Sequence, residues 1–554
     1  MATSETASHE QRHLFRPLLL GIFSVLVVSA RFFVGSVQQG HGFSLPLPFE
    51  DAAMLFRYAE NLASGYGIVW NDGQVPGESD GATDLGFVLV LAPLIKLGFS
   101  PPMAGLLVNG LGLFAIGFFI GIANRDRWLL PAPVPFLIVG LASLSVWSPI
   151  AGGFSSSAFG AILLLVLLTT QWALGHPHTS QLFRSDYLLV GVLAGLAGWW
   201  RPEGFLLAPF VVILSICTPT SFQKVRRGKS LLSLAASTGI AFLTLATAWV
   251  IFRLTYFGFL MPTAGTNKLE SVYWTVVNSI RTLESVGFYY LVALLPIVSA
   301  ALVLAILTAR ARAVLAPLAA IGAAALLWTP FDLTFNWWGR IWWPLVPVLV
   351  VWIITFLTET YKAREPNAST TRSTLQNLTL VATGIGILIV YPAPSTGEWP
   401  PEYERLPFHT LMYETLRPLD TSSLRVATTE AGLVPLSVNE GAALDTWVHN
   451  TRSIAENGVT ALPEELDSFV PNMIVVHGPT PTEFLGGETC TQFDPDWTTQ
   501  ARILFSYALD KDFSLVRVDQ TGPCDTWSIF VSPNAPAKIV TAIDQAPPWA
   551  TRIY

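Results

Sequence analysis

Apolar stretches of membrane-spanning length recur along this chain, near 14–36, 101–123, 130–150, 157–175, 187–200, 203–220, 231–256, 286–308, 313–330, 341–359 and 374–392. At roughly 20 apolar residues per crossing they predict about eleven transmembrane helices. The stretch 84–97 is apolar but short, a re-entrant segment or a twelfth span. The pieces 187–200 and 203–220 are also short and meet at Arg201-Pro202-Glu203-Gly204, as two halves of one broken unit would. Only 12% of the 554 residues are charged and 52% are hydrophobic, against about 25% charged in a soluble globular protein. The first span lacks a small-residue cleavage site and more spans follow it, so it reads as a retained helix rather than a signal peptide.

The basic residues set the orientation. Arg12 and Arg16 precede the first span, and Arg125 and Arg127, then Lys224, Arg226, Arg227 and Lys229, then Arg310 and Arg312, then Lys362 and Arg364 fall in alternate loops. The positive-inside rule places all of these in the cytoplasm. The N-terminus is then cytoplasmic in a multi-pass plasma-membrane protein, and an odd number of spans sends the C-terminus outside. Nothing in this charge pattern suggests a nucleic-acid partner.

Past Tyr391 the pattern becomes that of a globular domain. Short β-rich runs (Leu424–Thr428, Met473–His477, Phe513–Val518, Ser528–Val531) alternate with helical stretches at Pro463–Phe469 and Trp497–Ala508. The chain thus divides into a membrane domain, 1–392, with an external loop at 37–84, and an extracytoplasmic α/β domain, 393–554. Cys490 and Cys524 lie in that domain, where an oxidising compartment permits a disulfide between them. No metal-ligand spacing of Cys or His occurs.

The polar residues on the outer side carry the functional signal. Glu50 to Leu62 reads as a short amphipathic helix with two acids, Glu50 and Asp51, at its start, and Asp51, Met54, Leu55 and Tyr58 roughly on one side. Acids there also suit a simple N-cap. A Gly-rich turn through Asn71 and an acidic loop, Asp80-Gly81-Ala82-Thr83-Asp84, follow. On the same side lie Arg201 and Glu203, Asn267 and Lys268, and Asn336, Trp337, Trp338 and Arg340. Ionisable residues at membrane depth are costly and mark sites or pathways. Acids facing cations and tryptophans describe a pocket for a sugar joined to a phosphate.

These residues carry a family resemblance. The run from Glu50-Asp51 through Arg57-Tyr58, Asn61, Gly65, Gly67 and Asn71 is similar to the first external loop of the GT-C glycosyltransferases, in particular the actinobacterial terminal β-(1→2)-arabinofuranosyltransferases. Asp80 to Asp84, the Arg201-Pro202-Glu203-Gly204 turn, Tyr256-Phe257-Gly258 with Pro262-Thr263 and Asn267-Lys268, and Glu430 to Pro435 with Asp445-Thr446 resemble that family's later motifs in order. Three positions depart from it: Glu50 where Asp is usual, Ser155 where relatives often carry Glu, and an Asn267-Lys268 pair without the usual spacing.

The resemblance implies an enzyme that moves a sugar, arabinofuranose by analogy, from a polyprenyl-phosphate donor to a cell-envelope polysaccharide, building cell-wall arabinan. It implies Asp51 as general base with Glu50 as its backup, and Arg201, Lys268, Arg340 and Arg57 as donor-phosphate ligands. Tyr58, Asn61, Asp80, Asp84, Glu203, Asn267, Asn336, Trp337 and Trp338 are the substrate-binding candidates. Arg57 equally suits a lipid-headgroup contact. Asp80 and Asp84 could hold a divalent cation with Asp51, but no required metal is read here. Two other readings stay open: a lipid-linked sugar transporter, given Pro- and Gly-broken helices, and an inactive glycan-binding relative, given Ser155 and Glu50.

Overall fold

The computed structural model describes residues 2–38, 47–75, 77–123, Phe136, 139–140, Ser143, 146–176, 183–226, 229–263, Val286, Tyr290, Leu294, Val298, 312–329, 340–362, 407–447, 449–478, 495–522 and 525–546. Among the described residues, the longer helices of the first part are α1 (Ala2–Gln38), α2 (Glu50–Ser64), α3 (Leu85–Lys96), α4 (Pro101–Ala123), α5 (Ser156–Gly175), α6 (Ser185–Trp200), α7 (Gly204–Ile216), α8 (Lys229–Tyr256), α9 (Arg312–Leu326) and α10 (Val346–Lys362). Among the described residues, four segments are long and apolar enough to cross a membrane: Phe15–Val34, Pro101–Ala123, Ser156–Gly175 and Leu231–Tyr256. Shorter apolar helices run over Leu85–Lys96, Gly204–Ile216, Val314–Leu326 and Trp343–Leu357. The expected span at 374–392 lies outside the described residues, as do most of those at 130–150 and 286–308.

Helix pairing follows from residue size. α1 lies along α4, and a Cβ on Gly117 or Gly121 would come within 2.4 Å of the Leu20 carbonyl oxygen or 2.5 Å of the Pro17 Cα. Small residues let apolar helices approach closely where no hydrophobic effect drives them together. α3 is 12 residues long, which at 1.5 Å per residue is roughly 18 Å, too short to cross a bilayer of about 30 Å by itself. The chain breaks at Arg201, whose extended backbone (φ −144°, ψ 138°) ends α6 before α7 begins at Gly204. The 187–220 region is therefore two helices joined by a three-residue turn.

The C-terminal part holds a five-stranded sheet: β1 (Arg425–Thr428), β2 (Ala442–Asp445), β3 (Met473–Gly478), β4 (Ser514–Gly522) and β5 (Asp525–Val531), in the order β2-β1-β3-β5-β4. β1 runs parallel to both β2 and β3, whereas β5 runs antiparallel to β3 and β4. Alternation of side chains sorts the sheet into two faces. Val426, Met473, Val475, Ile529 and Val531 join one core with Phe408 and Met412 of α11 (Pro407–Leu416). Ala427, Ile474, Val476 and Phe530 join the other with Leu504 and Phe505 of the helix Pro495–Asp510.

The two parts meet on α2. The sequence reads α2 as amphipathic, yet ten of its fifteen residues are buried, Glu50 and Arg57 included. The reason is that it is covered twice. α3 and α4 pack on it from one side, and the short helix α12 (Leu433–Ser437) packs on it from the domain. Ala431, Leu433 and Leu436 share one core with Met54, Phe56, Phe87 and Val108.

Candidate active site

The two acids at the start of α2 diverge, and neither caps the helix. Phe49 is the N-cap residue, with no side-chain capping bond. Successive helical residues are turned by about 100°, so the carboxylates go to different places. Glu50 is buried and accepts hydrogen bonds from the backbone N–H groups of Gly432 and Leu433 in the domain. Asp51 keeps 32% of its side chain exposed and pairs with Arg340, Nη2 to Oδ2 at 2.6 Å. Asp51 is thus the accessible acid and Glu50 the buried one.

Arg340 sits at a protein-made corner. Its backbone oxygen accepts from the Ser156 hydroxyl at 3.0 Å, and its guanidinium lies 4.1 Å from the centroid of the Phe154 ring. It is 7% exposed, and its Nη1 is buried without a hydrogen-bond partner among the described residues. A guanidinium with one nitrogen on a carboxylate and another unsatisfied is ready for a second anion.

A second polar cluster lies at the turn after α6. Arg201 is 3.5 Å from Asp84 and 3.1 Å from Glu203. Asp84 in turn accepts from the Ser155 hydroxyl at 2.6 Å, and Ser155 accepts from the Trp200 indole at 3.2 Å. The position where relatives often carry Glu therefore holds a hydroxyl that supports Asp84 rather than a third acid.

The acids of the Asp80–Asp84 loop do not gather with Asp51. Asp80 forms a buried ion pair with Arg253 of α8, its backbone oxygen accepts from Thr263 at 3.1 Å, and burial pushes its carboxyl up to about 7. Each of the three acids faces its own arginine, so the cation site drawn from Asp51, Asp80 and Asp84 is not assembled.

Several expected site residues are struts. All five N–H groups of Arg57 are occupied: by the carbonyls of Trp70, Pro435, Val438 and Gly441 and by the Asn71 side chain. It has no donor left for a phosphate and is 3% exposed, so the donor-ligand and headgroup readings both give way to a role in joining α2 to the domain. Tyr58 is also fully buried, donating to Asn450 at 3.0 Å and accepting from Gly81 N–H at 2.9 Å. Asn61 donates to the carbonyls of Val69 and Trp70. Asn71 imitates a strand residue, accepting from Ala443 N–H at 2.8 Å and donating to the Ala443 carbonyl at 2.9 Å. These residues hold the external loop against β2 rather than line an opening.

Asn267, Lys268, Asn336, Trp337, Trp338, Cys490 and Cys524 lie outside the described residues. Sequence reasoning missed the partners of Glu50: His409 and Glu430, which converge on it from the domain. Glu430 belonged to a motif already noted; His409 had no signal of its own.

No family model matches the chain, and no curated protein matches it in sequence. Among solved structures, the crystal structure of ArnT from Cupriavidus metallidurans bound to undecaprenyl phosphate is similar, at 15% identity and a TM-score of 0.48, with 93% of this chain and 98% of that one covered.

Proposed function

We propose that the chain is a membrane glycosyltransferase of the GT-C type, moving a sugar from a polyprenyl-phosphate donor to a cell-envelope glycan on the outer face of the membrane. Arabinofuranose is the donor sugar that the motif resemblance favours. The observation that carries the reading is the Asp51–Arg340 pair: a one-third-exposed carboxylate beside a guanidinium with a buried nitrogen unsatisfied among the described residues.

That pair supplies the two charges the reaction needs. Asp51 takes the proton of the acceptor hydroxyl, whose oxygen attacks the anomeric carbon as the bond to the phosphate oxygen breaks. Arg340 receives the negative charge that grows on the leaving polyprenyl phosphate, a form of stabilisation strongest where water is excluded. Arg201, held by Asp84 and Glu203, and Lys268 would add positive charge along the lipid phosphate.

The test is glycosyl transfer in proteoliposomes with decaprenyl-phosphate arabinofuranose, a panel of other polyprenyl-phosphate sugars and oligosaccharide acceptors. Wild-type protein should form product, and Asp51→Asn should lower the rate by about 10²-fold or more. Transfer untouched by the substitution removes Asp51 as base. Folded wild-type protein that makes no product from any donor removes the enzyme reading.

A further inference from the structure

Where the domain meets the start of α2, three metal-ligating side chains converge from separate elements. Glu50 comes from α2, His409 from α11, and Glu430 from the segment just after β1. His409 Nε2 lies 3.7 Å from Glu50 Oε2 and 4.0 Å from Glu430 Oε2. One ligand atom from each residue can be chosen so that all lie within 4.8 Å of one another. These separations are too long for hydrogen bonds. They approach the spacing of ligands around a shared ion, about 3.4 Å for tetrahedral bonds of about 2.0–2.1 Å.

His409 itself points to a missing partner. It is 3% exposed, and both ring nitrogens are buried without a hydrogen-bond partner among the described residues. A buried polar group left unpaired is destabilising unless something else satisfies it. A neutral imidazole carries a lone pair available to a metal.

The charge balance points the same way. Among the described residues, Glu50 and Glu430 have only imidazoles as ion-pair partners, with no arginine or lysine near enough. A dication cancels both negative charges.

The surroundings resemble a built shell. His477 Nδ1 is 2.8 Å from Glu430 Oε1, as a residue that orients a ligating carboxylate would be. The His477 ring stacks on Trp527 at 4.0 Å, and Phe408 stacks on that indole at 4.3 Å. Glu430 and His477 also lie at the carboxyl ends of the parallel strands β1 and β3. There the chain leaves β1 toward β2 on one side and leaves β3 toward β4 and β5 on the other, the position where open α/β sheets form binding sites.

We propose that Glu50, His409 and Glu430 bind one divalent metal ion of the zinc class, which fastens the C-terminal domain to the first turn of α2. An imidazole with two carboxylates suits zinc better than calcium or magnesium, which prefer oxygen ligands throughout. Three protein ligands leave a fourth position for water. The site is independent of sugar transfer and positions Asp51 only through the helix turn that both acids share.

The test uses the full chain in detergent, stripped with chelator and titrated with Zn²⁺ alone. Bound metal is counted by mass spectrometry and the thermal unfolding midpoint is followed. Expected are about one zinc per chain and a raised midpoint on addition. Glu430→Gln and His409→Gln should each weaken zinc binding at least 10-fold, and His477→Gln about 10- to 100-fold, as lost outer-shell partners do. Folded wild-type protein that takes up no zinc, with a midpoint indifferent to zinc and chelator, overturns the proposal without needing any variant. Equal zinc binding by the variants, or displacement of zinc by equimolar calcium, overturns it as well.

Discussion

Arg57 and Arg340 both stand among charged and polar neighbours on the outer side, yet their surroundings assign them different work. Arg57 gives every donor to a fixed acceptor, whereas Arg340 leaves one buried nitrogen unsatisfied among the described residues. Replacing Arg57 by Met leaves buried carbonyls unpaired at about 1–3 kcal/mol each, so the variant should lose folded protein; Arg57→Lys, with three donors in place of five, should fold with a lowered thermal midpoint. Arg340→Gln should keep its midpoint near wild type and lose about 10²–10³-fold in transfer, the effect of one lost oxyanion contact. The reverse pattern, with Arg57→Lys thermally unchanged but inactive, would exchange the two roles. Asp445 shows how burial can set a titration: with no cation beside it among the described residues, burial pushes it up to about 7 although Trp447 and Asn450 donate hydrogen bonds. A folded-state pKa raised from 3.8 means that the native protein binds the extra proton, so stability falls as pH rises from about 4 to about 7 and levels off above. Asp445→Asn should flatten that part of the midpoint-against-pH curve relative to wild type. The slope is the readout, because Asn meets the same donors less well and lowers the midpoint throughout.

At the scale of elements, what was legible in the sequence was whatever local pattern determines. Strands at Met473–Gly478 and Asp525–Val531 announce themselves through β-branched and aromatic runs, and the long apolar helices through length. β2 does not, since Ala-Ala-Leu-Asp has neither β propensity nor alternation, and it becomes a strand only because β1 on one side and Asn71 on the other supply its hydrogen bonds. α2 illustrates the opposite gap. Its composition is amphipathic, but the domain covers the face that composition leaves polar, and three of the carbonyls that receive Arg57 lie 378 to 384 residues further on. No local window contains that information. The same distance separates Glu50 from Gly432 and hides why the departure to Glu matters: the longer side chain reaches the domain's backbone N–H groups. Asp51, the turn at Arg201 and the Asp80–Asp84 loop were legible as a set, but their division into separate acid–arginine pairs was not.

Across the whole molecule, α2 is the shared element: its first turn carries Asp51, its inner side packs on α3 and α4, and its outer side bears the domain. Position at one interface therefore becomes position at the other. Gly432 is a close backbone approach between the two parts, because a Cβ there would fall 2.1 Å from the Glu50 carbonyl oxygen, which belongs to helix backbone and cannot swing aside. Gly432→Ala must push the domain away from α2 or turn the start of α2, one residue before Asp51. A misplacement of about 1 Å in a catalytic group can cost about 10²-fold in rate. Gly432→Ala should therefore reduce transfer by one to two orders of magnitude, while Gly110→Ala, on a face of α4 with nothing within 4 Å, should leave transfer unchanged. Both variants are compared in the same proteoliposomes with an equal amount of folded protein. Full activity in Gly432→Ala would mean that Asp51 is held by the membrane helices and Arg340 alone, leaving the domain to serve the acceptor and not the geometry of the base.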